Sequence, residues 1–107
     1  MITKVVNEVI FEYYDDILSP EALFKVDEGS GYTTEIIYAS GTGVLPFKLA
    51  CTLDGKALHS LDGEISIKLP VPETHLADID QLKVDHRGVV YDATPEGDYL
   101  VFKTDYI

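Results

Sequence analysis

Cysteine occurs once in this sequence, at Cys51, so the chain can form no internal disulfide and no multi-cysteine zinc site. A disulfide-stapled scaffold is excluded, and the redox compartment stays open. Positive charge is scarce as well. Eight lysine and arginine residues stand against nineteen aspartates and glutamates, a formal net charge of −11. That balance repels nucleic-acid phosphates and anionic lipid, which makes DNA, RNA and membrane surfaces poor partners, predicts no nucleic-acid binding and leaves a basic protein as a candidate. A mimic of DNA charge would carry acidic rows on long helices, and no such rows occur. Long apolar runs are also missing. Met1 to Glu8 lacks the apolar core of about 7–15 residues that a signal peptide needs, and no segment approaches the roughly 18 apolar residues of a membrane span.

What is present suits one domain over residues 1–107. The length is near the commonest domain size, and the 46% hydrophobic content with seven tyrosines and four phenylalanines supplies core material. No internal repeat and no low-complexity tract interrupts it.

From Gly41 onward, short apolar or alternating runs are separated by turn residues, the pattern of strands joined by hairpins. Leu45 to Leu53 is one run, bounded by Asp54-Gly55; Lys56 to Leu61 follows, and Asp62-Gly63 reads as a second turn. Glu64 to Leu69 alternates strictly, which predicts a half-buried strand with Ile65, Ile67 and Leu69 inward. Pro70 and Pro72 end it. His75 to Gln81 reads as an acidic loop or a single helical turn. Leu82 to Asp85, Val89 to Ala93 and Tyr99 to Lys103 are further strands, with turns at Arg87-Gly88 and Thr94 to Asp98.

The first forty residues are ambiguous. Val5, Val6, Val9, Ile10, Tyr13, Tyr14 and Ile17 recur near helical spacing, so residues 5–18 fit helix or strand. The β-branched and aromatic content favours strand, as does Asp15-Asp16, which the macrodipole disfavours at a helix C-terminus. Ser19-Pro20-Glu21 has the chemistry to cap and open one short helix. Leu23 to Val26 and Tyr32 to Ala39 are extended. About seven strands at this spacing predict an all-β, immunoglobulin-like β-sandwich.

The run Asp62 to Pro72, then Leu82 to Gly88, then Tyr99 to Asp105 resembles the immunoglobulin-like β-sandwich modules of multidomain surface proteins in Gram-positive bacteria. There a "DG-x-[VI]-x-[VI]-x-[IL]-P-x-P" strand precedes an "LKVYHV…G" hairpin and a closing "F-x-TDHFS-x-Y" strand. The match covers about residues 49 to 107, with a looser echo in Leu18 to Val26, and departs at Tyr106-Ile107. It implies a non-catalytic spacer or accessory module without a cofactor.

Candidates for chemistry are few. His59, His75 and His86 are 16 and 11 residues apart, spacings that match no compact metal site; His86 reads as a polar turn residue, and His59 and His75 as exposed. Asp78 and Asp80 with Asp85, or Asp15-Asp16 with Glu21, lack a glycine-punctuated calcium loop and read as solvated acids. Ser40-Gly41-Thr42-Gly43 has no P-loop lysine and reads as a hairpin connection. Cys51, among Leu49, Ala50 and Leu53, reads as a packed thiol, and Ser40, Ser60 and Ser66 lie in no nucleophile elbow. Tyr13, Tyr14, Tyr32, Tyr38, Tyr91, Tyr99 and Tyr106 are numerous enough for a platform for sugars or peptides, but the sequence does not show which share a face.

The sequence therefore predicts no enzyme, no metal and no cofactor. It suits an accessory or spacer module, extracellular or at the cell surface within a longer chain, that contacts protein or carbohydrate. The alternative is a stand-alone intracellular acidic protein that binds or inhibits a basic partner. Oligomeric state stays open, since exposed strand edges can pair.

Overall fold

The computed structural model describes residues 1–107. Its strands are β1 (Ile2–Val6), β2 (Val9–Tyr13), β3 (Leu23–Asp27), β4 (Thr34–Tyr38), β5 (Gly43–Leu53), β6 (Lys56–Ala57), β7 (Ser60–Pro70), β8 (Leu82–His86), β9 (Val89–Tyr91), β10 (Thr94–Glu96) and β11 (Tyr99–Tyr106). One sheet has the order β1-β2-β7-β11-β10 and the other β3-β5-β4-β8-β9, with β6 folded back on the end of β5. Every pairing is antiparallel. The result is an all-β sandwich, with the short β10 added to the strands that the sequence suggests and the Lys56 to Leu61 run divided between β6 and the start of β7. None of its helical segments is long and apolar enough to cross a membrane.

Alternation builds the core. In β7, Ile65, Ile67 and Leu69 are buried while Glu64, Ser66 and Lys68 are not. Val9, Phe11 and Tyr13 of β2 and Leu100 and Phe102 of β11 extend that inner face, and the second sheet meets it with Phe47, Leu49 and Cys51 of β5, Ile36 of β4, and Leu82 and Val84 of β8. Phe11 stacks on Phe24 of β3, with ring centroids 4.1 Å apart at 14°. That stack ties an edge strand of one sheet to an inner strand of the other.

Residues 5–18 contain no helix. Asn7 and Glu8 adopt left-handed φ values of 46° and 70° in a two-residue turn between β1 and β2, and the chain turns again after Tyr13. Ser19-Pro20-Glu21 forms a turn rather than opening a helix: the Ala22 N–H donates to the Ser19 carbonyl at 3.1 Å and the Glu21 N–H to Ser19 Oγ at 3.1 Å. The helical segment lies instead at Glu73–Gln81, as 3-10 turns.

Two turn expectations are corrected by the sheet. Asp62-Gly63 is not a turn, because β7 runs through it unbroken. Gly63 serves close approach: a Cβ there would lie 2.5 Å from Cδ1 of Ile17. Thr94 to Glu96 is strand β10, an edge position where Pro95 is tolerated, and the turn is confined to Gly97-Asp98, with Gly97 at φ 62°.

Register aligns Thr3, Glu12, Ser66 and Lys103 in one row across the first sheet. The start of β1 and the finish of β11 therefore point to the same end of the sandwich. Near that end β11 has a bulge between Thr104 and Tyr106.

Candidate functional site

The β8–β9 hairpin builds one wall of the largest hollow in the protein, an open groove of about 760 Å³. His86 and Val89 close the hairpin as partners, with Arg87 at φ 52° and Gly88 at φ 83° between them, the geometry that matches the natural twist of paired strands. Asp85 Oδ1 accepts the Gly88 N–H at 3.1 Å, and the Arg87 N–H donates to the Thr33 carbonyl at 2.8 Å. The hairpin is thereby fixed to the start of β4. Tyr32, Tyr91 and Tyr106 supply its aromatic lining.

His86 departs from its reading as a polar turn residue. It is 1% exposed, the last inward residue of β8. Its Nε2 lies 2.7 Å from the Tyr106 carbonyl and its Nδ1 2.8 Å from Thr34 Oγ1. A carbonyl only accepts, so Nε2 carries the proton and neutral His86 accepts at Nδ1 from the Thr34 hydroxyl. The Thr33 hydroxyl then donates to Thr34 Oγ1 at 3.1 Å and accepts the Leu49 N–H at 3.1 Å. These bonds run in one direction, from Leu49 through Thr33, Thr34 and His86 to Tyr106. Burial pushes the His86 pKa below its ordinary value, outweighing the opposing pull of the Tyr106 carbonyl.

The bulge in β11 completes the network. Thr104 Oγ1 donates to the Tyr106 carbonyl at 3.1 Å, so it accepts from the Tyr91 hydroxyl at 3.0 Å and the Tyr106 N–H at 3.2 Å. His86, Tyr91 and Phe102 pack edge to face around it, with centroids 5.4–5.9 Å apart. The Arg87 guanidinium sits over the Tyr106 ring, 5.7 Å from its centroid, and His59 stacks on that ring at 6.1 Å.

The other candidates scatter. His59 Nδ1 lies 2.9 Å from the Ile107 oxygen, beside the end of β11. His75 is in the 3-10 helix, where its Nδ1 is 2.9 Å from the Tyr38 hydroxyl, and that hydroxyl donates to Asp78 Oδ2 at 3.1 Å. Burial and then Asp78 push the Tyr38 pKa up. This cluster fastens the helix to β4. Cys51 is buried in the core and burial raises its pKa. Ser40 to Gly43 makes the β4–β5 connection, with the Tyr38 N–H donating to the Thr42 carbonyl at 2.8 Å. Asp78, Asp80 and Asp85 do not converge, nor do Asp15, Asp16 and Glu21, and no three His, Cys, Asp or Glu side chains are arranged to hold a metal. Of the tyrosines, Tyr32, Tyr91 and Tyr106 share the groove; Tyr13 is buried, with its hydroxyl donating to the Ser19 carbonyl at 3.1 Å.

Comparisons of the chain with protein-family models, curated proteins and solved structures found no match.

Proposed function

We propose that this chain is a non-catalytic, immunoglobulin-like accessory module of a larger surface or secreted protein, contacting a partner through the groove beside the β8–β9 hairpin. The observation that carries this reading is the directed hydrogen-bond network. Neutral His86 has both ring nitrogens committed to its own fold, and the Tyr91 and Thr104 hydroxyls are committed as well. A general base needs a free lone pair within reach of substrate, whereas a recognition site needs a fixed shape. The groove supplies the second. Shared register at Thr3 and Lys103 favours an accessory role over an in-line spacer, since a spacer adds length when its two ends are far apart.

The test is the mass and cellular fraction of the native polypeptide that carries this sequence. A much larger secreted or wall-associated protein is expected. A cytosolic species of 11.9 kDa would overturn the reading in favour of an acidic protein that blocks a basic partner.

A further inference from the structure

Arg87 is the only arginine in the chain. It occupies a position that its side chain does not favour. Three two-residue turns here have left-handed φ at both positions, and the first of these is Asn7, Asp54 or Arg87. Asn and Asp suit that backbone; arginine has no local reason to be there. A residue that breaks local rules without structural compensation marks a site shaped by something else.

The guanidinium has no carboxylate partner. The ion pairs of the chain belong to Lys25, Lys68 and Lys83. Although nineteen carboxylates are available, Arg87 meets only the face of Tyr106, at the rim of the groove. A planar guanidinium held on a ring keeps its fork of donors free for a bidentate acceptor.

Beside it lies an uncovered sheet edge. His86↔Val89 and Val84↔Tyr91 are the hydrogen-bonded pairs of the hairpin, so the N–H and C=O of Val90, between them, point out of the sheet. Val89 and Val90 are 56% and 54% exposed, and Tyr32 is 52% exposed across the groove. Outward backbone groups flanked by exposed aliphatic side chains suit an added extended strand better than a sugar ring, all the more because Tyr106 is already engaged by Arg87 and His59.

We infer that the groove binds an extended apolar peptide that pairs with the β9 edge at Val90 and places a single carboxylate, its free C-terminus, on Arg87. The net charge of −11 works against ligands with several carboxylates, which is why a single one is specified. This inference rests on the contact-module reading.

The probe is an N-terminally labelled pentapeptide of alternating valine and tyrosine with a free C-terminal carboxylate, compared with its C-terminal amide, by fluorescence anisotropy and by amide NMR shifts. The acid is expected to bind at least about tenfold more tightly than the amide, the effect of one charge-assisted contact. Shifts are expected at Val89, Val90 and Tyr32. Arg87→Asn, which suits the turn and keeps the fold, should bring the acid down to the affinity of the amide and leave the amide unchanged. Equal binding of acid and amide, unaltered acid binding by Arg87→Asn, shifts confined to other surfaces, or no binding at ~1 mM peptide overturns the inference. Binding of glucuronic acid without binding of the peptide overturns the peptide assignment. These failures leave the module reading standing, because the mass of the native polypeptide decides that; a cytosolic 11.9 kDa species would overturn the module and leave the peptide result intact.

Discussion

Gly63→Ala should destabilise this protein, although alanine is ordinarily the better strand residue. At a site with room, removing the backbone freedom of glycine from the unfolded chain stabilises by about 0.4–1 kcal/mol. Here the added Cβ would meet Ile17 Cδ1 at 2.5 Å, and Cγ1 and Cγ2 at 3.5 and 3.6 Å. Overpacking of this kind costs about 1–3 kcal/mol, and the low end applies because Cδ1 is the free end of a half-buried side chain. The net loss is then up to roughly 0.6 kcal/mol, or a fall in Tm of up to about 3 °C. Ile17→Val deletes Cδ1, the only atom in severe conflict, and by itself costs about 0.5–1.5 kcal/mol. In that background Gly63→Ala should change sign and stabilise. Urea titrations of the four proteins, with slopes compared to verify two-state unfolding, yield the coupling energy, expected near 1 kcal/mol or above. A cycle additive to within about 0.3 kcal/mol would refute the argument that Gly63 is there to admit Ile17.

Stability should also fall as pH drops below about 6.5, the ordinary histidine value. Burial lowers the folded-state pKa of His86, so the unfolded chain takes the proton first; the loss grows until pH reaches the folded pKa and then levels. Asp92, held low by its hydrogen bond from Lys83, adds a separate loss only below about pH 4. Thermal melts between pH 7 and 5 should show a slope in the native protein and a flatter one in His86→Gln, and an unchanged slope would remove His86 as its source. Phe11→Ala, in the core and stacked on Phe24, should cost about 3–5 kcal/mol in denaturant titrations, against less than about 0.5 for Tyr14→Ala on the surface. Comparable costs at the two positions would contradict the assignment of faces.

The strands with one wet face were the most legible in the sequence. Glu64 to Leu69 alternates because one side meets the core and the other meets water, and that pattern needs no knowledge of the partner strand. Asp62-Gly63 misled because the role of its glycine depends on Ile17, far away in the chain. His86 misled similarly. Its burial depends on a carbonyl that the β11 bulge turns inward and on a threonine 52 residues earlier. Seven tyrosines were countable, but only the folded hairpin and bulge show that Tyr32, Tyr91 and Tyr106 share a groove. Local chemistry marks elements, whereas sites depend on their assembly.

The row from Thr3 to Lys103 has a mechanical consequence. Hydrogen bonds in an antiparallel sheet lie perpendicular to the strands. A pull applied through the two ends of this chain runs across the sheet along those bonds, loading first the pair nearest the ends and then the next. The sandwich would open by peeling, one bond at a time, at a much lower force than a fold whose terminal strands must slide past each other with all their bonds strained together.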